Sequence, residues 1–311
     1  MKRTGVIGSL NIDVVSKVER FLKPGETASG TFDIFVGGGK GANQACALGR
    51  LGAKPFMAGC IGDTFYGPEY LRHLADDGVD TSGVRMIHGL KPGVAVITVS
   101  AQDGQNHIIV APGANAACTP DWARQLLPEL MELDIVLFQL ETPLETTLLI
   151  ARALREAGKT LILDPAPAVP LEQDTLALFD YVTPNETELN ILTGLPTDTE
   201  AEIQAAARAL LGQGARCVIA KAGGRGAFIA AAGETVKIPP YRVTPVDTTA
   251  AGDAFNAGLA DALARGEELE KAVRFANAVG ALATTAMGAQ SALPTRNQVN
   301  LFLETNGGMA Q

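Results

Sequence analysis

Short apolar runs alternate with stretches whose apolar positions recur every three or four residues. Val6-Ile7, Phe56-Met57-Ala58, Ile135-Val136-Leu137-Phe138 and Leu161-Ile162-Leu163 have the length and uniform hydrophobicity of strands buried on both faces. Between them the pattern predicts helices over 40–52, 64–77 and 143–157. This alternation predicts an α/β fold, a Rossmann-like and mostly parallel sheet flanked by helices, with its ligand crevice at the carboxyl ends of the strands. The stretch 199–211 shows the local rules at work. Thr199 and Glu202 have capping-box spacing, Ile203, Ala207, Leu210 and Leu211 form the buried stripe, and Gly212 ends it.

Two segments, about 11–36 and 93–111, read as strands with no helix between them. In the second, Val94–Val99 and His107–Val110 flank Gln102-Asp103-Gly104-Gln105, and Asp-Gly between apolar runs is a hairpin signal. A small β-sheet projecting from the α/β body is expected, and an exposed apolar face on it would give a reason to dimerise. No long linker divides the chain, so residues 1–311 read as a single domain, with a disordered tail expected after Glu304.

Composition narrows the function classes. At 311 residues and 47% hydrophobic content the chain can bury a large core, yet it has no apolar run long enough to span a bilayer and no basic-then-apolar leader. A cytoplasmic protein without a membrane partner is expected. Cys46, Cys60, Cys118 and Cys217 are scattered without CxxC spacing, which predicts reduced thiols rather than disulfides or a zinc site. A formal charge of −9 argues against a nucleic-acid partner, so an anionic ligand must be held by local features. The three histidines, His73, His88 and His107, form no metal-binding pattern.

The first such local feature is Asp247-Thr248-Thr249-Ala250-Ala251-Gly252-Asp253, ahead of a helix whose stripe is Phe255, Gly258, Leu259 and Ala262. Thr248 or Thr249 is expected to cap that helix. Its first N–H groups lack helical acceptors and carry the positive end of the dipole, so small residues there leave room for a phosphate. An acidic residue in a first turn also complements the dipole, which would explain Asp253 alone. Gly252 argues for more, because glycine in a helix costs about 1 kcal/mol relative to alanine and implies close approach of another molecule. The second feature is Gly37-Gly38-Gly39-Lys40-Gly41-Ala42-Asn43-Gln44. It is not a Walker A loop, since Gly41 follows Lys40, and no GxGxxG follows the first strand.

With these two glycine signatures in place, the chain resembles the ribokinase (PfkB) family of sugar kinases, from about Gly5 to Pro294. The matching motifs are GSLNIDVV at 8–15, PGET at 24–27, GGKGANQA at 38–45, IGDTFYG at 61–67, GANA at 113–116, QLETP at 139–143, DPAPA at 164–168, TPNETE at 183–188, DTTAAGD at 247–253 and MGAQ at 287–290. The resemblance implies a ribokinase-like fold in which the small sheet is a lid over the sugar, shared with a second subunit of a homodimer. It implies ATP-dependent phosphorylation of D-ribose at its 5-hydroxyl, with 2-deoxyribose, another sugar or a nucleoside as alternative substrates.

The resemblance also assigns residues. Asp253 becomes the base for the sugar hydroxyl, and the backbone from Ala250 through Ala251, Gly252 and Asp253 the anion hole. Asn11, Asp13, Gly39, Lys40, Asn43 and Glu141 would hold the sugar. A turn after the first strand is the ordinary alternative for Asn11 and Asp13. For Glu141 it is pairing with the helix start near Pro143. Asn185 and Glu188 would orient Mg²⁺ and phosphate through water, while also fitting a helix cap. Lys221, Gly223, Gly226 and Asn277, with Gly252, match ATP-binding positions. Asp247 and the backbone of Thr249, Ala283, Ala286 and Gly288 match a site for K⁺. Ala292 departs from the serine expected as a further ligand there, with Ser291 beside it. A dinucleotide-dependent oxidoreductase is disfavoured by the missing GxGxxG, and a non-catalytic sugar sensor by the intact Asp253.

Overall fold

The computed structural model describes residues 1–64, 66–102 and 105–306. In chain order its strands are β1 (Thr4–Ile7), β2 (Asn11–Val18), β3 (Thr31–Gly38), β4 (Phe56–Gly62), β5 (Asp80–Ile87), β6 (Gly93–Ser100), β7 (Asn106–Ala111), β8 (Ile135–Phe138), β9 (Thr160–Leu163), β10 (Tyr181–Val182), β11 (Cys217–Lys221), β12 (Ala227–Ala231) and β13 (Glu234–Ile238). The helices are α1 (Lys40–Arg50), α2 (Tyr66–Asp76), α3 (Pro120–Leu130), α4 (Leu144–Glu156), α5 (Gln173–Leu176), α6 (Glu186–Thr193), α7 (Glu200–Gly212), α8 (Ala251–Ala264), α9 (Leu269–Ala283) and α10 (Arg296–Asn306).

The main sheet has nine strands in the order β13-β12-β11-β10-β9-β8-β1-β4-β5. From β5 across to β11 every pairing is parallel, and β12 and β13 return antiparallel at one edge. The apolar runs supply both faces by simple alternation. Val6, Leu137 and Ile162 point into one core with α1, α8 and α9, whereas Ile7, Val136, Phe138, Leu161 and Leu163 point into the other with Trp122 and the buried stripes of α4 and α7. The order β8-β1-β4 places the ends of β1 and β8 side by side, which brings the chain after Ile7 next to the chain after Phe138. That is where ligand crevices of open α/β sheets lie.

The second sheet is small and separate, with order β3-β2-β6-β7. It is built from the two helix-free segments expected to form it, although the Asp103-Gly104 turn lies outside the described residues. Phe32, Ile108 and Ile109 on it are 60%, 54% and 70% exposed. One expectation is corrected at the C-terminus. Helix α10 runs on to Asn306, past Glu304, because Val299 is buried against the core and Phe302 and Leu303 pack beside it. The remainder of the expected disordered tail lies outside the described residues.

Candidate active site

Helix α8 starts at the crevice, and its start differs from the expected one. Neither Thr248 nor Thr249 caps it: the N-cap is Ala250 in the left-handed region (φ 58°), with no side-chain cap. Thr249 is drawn the other way, since its N–H and Oγ1 both donate to Asp247 Oδ1, at 2.9 and 2.7 Å. Left-handed geometry at a non-glycine residue costs energy, and here it turns the chain so that the helix begins without a side chain over its N–H groups. Ala251 N–H still donates to Thr248 O at 3.2 Å. Ala251 N–H is thereby engaged, whereas the N–H groups of Gly252 and Asp253, and that of Ala250 ahead of them, have no protein acceptor among the described residues. Ala250, Ala251 and Gly252 are partly exposed, whereas Asp253 is 5% exposed just behind them.

Asp253 is gripped from the glycine-rich turn. Asn43 Nδ2 donates to its Oδ2 at 3.0 Å and Gln44 Nε2 to its Oδ1 at 3.1 Å, across more than 200 residues of sequence. Burial is the largest influence on its carboxyl and raises it; the Lys40 ammonium and the two amides pull down, Asp164 pushes up, and the balance is about 6. Lys40 stands among Asp253, Asp164, Glu141 and Glu188. Burial works against its charge, but those four carboxylates hold its pKa above the ordinary lysine value.

The expected sugar-holding residues converge on the same place. Asn11 and Asp13 lie on β2 rather than in a turn, and both are buried. Asn11 Oδ1 accepts from Asn115 Nδ2 at 2.7 Å. Asp13 is pushed up to about 7 by burial first, then by Glu141 and Asp253. Gly39 is the N-cap of α1 at φ 85°, where a Cβ would come 2.7 Å from Asn11 N. Glu141 does not pair with the start of α4. Its Oε2 instead accepts from Lys40 N–H at 3.0 Å and from Ser9 Oγ, which docks it on the N-terminus of α1.

The expected nucleotide residues divide into two groups. Asn185 and Glu188 form a reciprocal capping box on α6, and Asn185 bridges to Lys221 at the end of β11. Lys221 Nζ donates to Asp164 Oδ1 at 2.8 Å, and a Cβ on Gly252 would lie 3.4 Å from that Nζ. Burial raises the Glu188 carboxyl despite Lys221. Gly223 and Gly226 bound the turn between β11 and β12. Gly226 packs against the backbone from Ile238 to Pro240, and Asn277 on α9 donates to Pro239 O at 3.1 Å, so this second group frames the edge beside β13.

The expected cation residues also come together. Val246 and Asp247 N–H donate to Thr284 O at 2.7 and 3.1 Å, and Gly288 N–H donates to Asp247 Oδ2 at 2.9 Å. Burial alone would raise Asp247, but the bonds from Thr249 and Gly288 hold it below the usual carboxylate value. An ionised carboxylate thus faces the C-terminal end of α9, which closes at Ala283 just before Ala286 and Gly288. Carboxylate and backbone carbonyls at the negative end of a helix dipole suit a hard cation. Ala292 is buried and its side chain offers no oxygen; Ser291 Oγ donates to Met287 O at 3.0 Å instead. Among the described residues no group of three or more His, Cys, Asp or Glu side chains is placed to hold a metal ion.

Several site residues have no role predicted for them, all but Tyr70 lying in the quoted motifs. Gln44, Gln139, Asp164, Asn115, Gln290 and Tyr70 form the buried polar wall. Gln139 Nε2 donates to Gln44 Oε1 at 2.7 Å, Gln290 Nε2 to Asn43 Oδ1 at 3.2 Å, and Tyr70 OH to Gly38 O at 2.5 Å. A polar residue at a fully buried helical position, as Gln44 is on α1, was the available signal.

The family model for pfkB family carbohydrate kinases matches residues 1–296. A ribokinase of Bacillus subtilis is 41% identical over 303 residues, covering 97% of this chain and 100% of the relative. A deoxyribokinase of Salmonella typhi is 35% identical over 302 residues, covering 97% and 98%. The structure of Arabidopsis thaliana ribokinase complexed with ribose and ATP superposes with a TM-score of 0.90 at 34% identity, covering 97% of this chain and 99% of that one.

Proposed function

Since the chain belongs to the pfkB family of carbohydrate kinases, we propose that it transfers the γ-phosphoryl group of ATP to the 5-hydroxyl of D-ribose. The observation that carries this reading is Asp253, a buried carboxylate one residue beyond the open N–H of Gly252, with each oxygen held by one amide. Phosphoryl transfer needs an in-line nucleophile, a proton acceptor and positive dipoles around the moving group. Asp253 supplies the acceptor, and the N–H groups of Gly252 and Asp253 the dipoles; loss of one such donor typically costs roughly 10²–10³ in rate. Asn11, Asp13, Gly39, Lys40, Asn43 and Glu141 surround a small polyol, and their polar groups want hydroxyl partners.

Asn185, Glu188, Lys221, Gly223, Gly226 and Asn277 hold the nucleotide. Asn185 and Glu188 would hold Mg²⁺ through water, and the ion would supply charge neutralisation for the transferred group. The loops around Asp247, Thr249, Ala283, Ala286 and Gly288 fit K⁺, which would brace the start of α8. Ala292 leaves that site one side-chain ligand short. The four buried thiols fit a reducing cytoplasm, and no helix among the described residues is long and apolar enough to cross a membrane. The lid's exposed apolar strands fit pairing with a second subunit.

The substrate assignment is tested by competing D-ribose against 2-deoxyribose, fructose and nucleosides with MgATP. Buried polar groups left unpaired reject an analogue lacking one hydroxyl by up to roughly 10⁴–10⁵. D-Ribose is expected to have the highest kcat/KM; equal or better use of 2-deoxyribose or a nucleoside reassigns the substrate and leaves the kinase chemistry standing.

A further inference from the structure

Gln44 stands between two buried carboxylates and serves both. Its Nε2 donates to Asp253 Oδ1 at 3.1 Å and to Asp164 Oδ2 at 3.0 Å, so both amide protons are used. Gln139 Nε2 donates to its Oε1 at 2.7 Å, which fixes the orientation of the amide. On its far side Asp164 takes Lys221 Nζ at 2.8 Å, with side-chain exposures of 12% for Lys221 and 3% for Asp164. That ammonium also borders Gly252, whose N–H opens toward the phosphate site. A buried ion pair is therefore placed with its cation at the nucleotide and its anion one amide away from Asp253.

We propose that Gln44, Asp164 and Lys221 form a relay in which nucleotide phosphates draw the Lys221 ammonium away from Asp164, and the charge left on Asp164 makes Asp253 a stronger proton acceptor. The inference rests on the kinase reading of Asp253. Gln44 and Asp164 are positioning residues in it, since neither touches the reacting atoms. No proton crosses Gln44, whose amide stays neutral; the coupling is electrostatic, through two hydrogen bonds in a buried site where charges are weakly screened. The other charged groups facing Asp253 are Lys40 on α1 and Asp13 on β2. Those facing Asp164 are Lys221, Lys40 and Glu188. Lys40 belongs to the sugar turn, and Asp13 and Glu188 bring no positive charge, so Lys221 is the cation whose partner changes when phosphate arrives. The consequence is ordering: the base gains strength once the nucleotide is seated, which disfavours loss of a sugar proton before there is a phosphoryl group to receive the oxygen.

The test follows the Asp253 carboxyl by carbon-13 NMR in the full chain, with the signal assigned by its loss in Asp253→Asn. It is titrated without and with a non-hydrolysable ATP analogue and Mg²⁺. In the wild type the analogue is expected to raise the titration midpoint by about one unit, the size typical of a nearby charge. The phosphates act on Asp253 directly as well, so Asp164→Asn is the deciding comparison. There the analogue-induced rise is expected to shrink to less than about half, while sugar binding without nucleotide is retained. Gln44→Met, which keeps the volume and removes the bridge, is expected to behave likewise. Equal rises in the wild type and Asp164→Asn would overturn the relay. Steady-state phosphorylation by the wild type, measured alongside, keeps the two failures apart. Turnover with equal rises rejects the relay alone, and no turnover on any sugar rejects the kinase reading beneath it.

Discussion

Asp13 and Asp253 are held where water would suit them better. Their carboxyls are raised, to about 7 and about 6, with burial the first cause of each. A raised acid binds more protons in the folded state than in the unfolded chain between the two pKa values. The stability it contributes is complete below the unfolded value and is lost as pH rises through the folded one. For Asp13 that window runs from about 4 to about 7. Asp13→Asn is therefore expected to raise the melting temperature at pH 7.5 and to do so progressively less toward pH 4.5, while weakening sugar binding. Thermal melts of the two proteins across that range check it, and an Asn variant that melts lower at pH 7.5 would contradict it. The same residue scale sets the pH dependence of turnover. Asp253 must be ionised to accept a proton, so kcat/KM, which reports the free enzyme, is expected to fall about tenfold per unit below pH 6. Asp253 was legible in the sequence because a motif and a helix start coincide there. Gln44 and Asp164 were not, because their role is a contact between buried polar groups more than 100 residues apart, which no local pattern records.

At the level of elements, the crevice depends on how α8 begins. A left-handed Ala250 replaces the expected threonine cap, because Thr249 is tied to Asp247 and so to the loop after α9. Sequence preference for a capping hydroxyl was outweighed by that loop contact. A prediction follows for Gly252→Ala: the new Cβ would sit 3.4 Å from Lys221 Nζ, an ordinary contact, so the fold is kept. The methyl nevertheless occupies the approach to the free N–H groups, and kcat with MgATP is expected to drop at least roughly 10²-fold, as for loss of a single anion-hole donor. A fully active alanine variant would move the phosphate elsewhere. The loop contact makes a second expectation, that turnover rises when K⁺ replaces Na⁺ in the assay. Equal rates in both would remove the cation from the Asp247 loop. In the same way, α1 was legible from its apolar stripe, but the docking of Glu141 on its N-terminus rather than on that of α4 depends on the β1-β8 pairing.

For the molecule as a whole, alternation of buried runs and helices disclosed the layered α/β body, since strands buried on both faces are continuously apolar. It did not disclose β5, whose outer edge position leaves several residues exposed, or the two-residue β10. The separate sheet was legible as helix-free strands, and its exposed Phe32, Val96, Ile108 and Ile109 invite a partner surface. The proposed pairing through this face predicts that the wild type sediments as a dimer and Ile109→Lys shifts toward monomer; a monomeric wild type contradicts the pairing, and a dimer undisturbed by charge at that position places the interface elsewhere. The two sheets and the helix starts between them converge on Asp253, the group proposed to receive the sugar proton. The most direct measurement is phosphorus NMR of the products made from MgATP and D-ribose by the wild type and by a folded Asp253→Asn protein. Ribose 5-phosphate from the wild type, formed at least roughly 10²-fold more slowly by the variant with sugar binding retained, is the expected result. Near-normal turnover by the folded variant, or phosphate found at another hydroxyl, would contradict it.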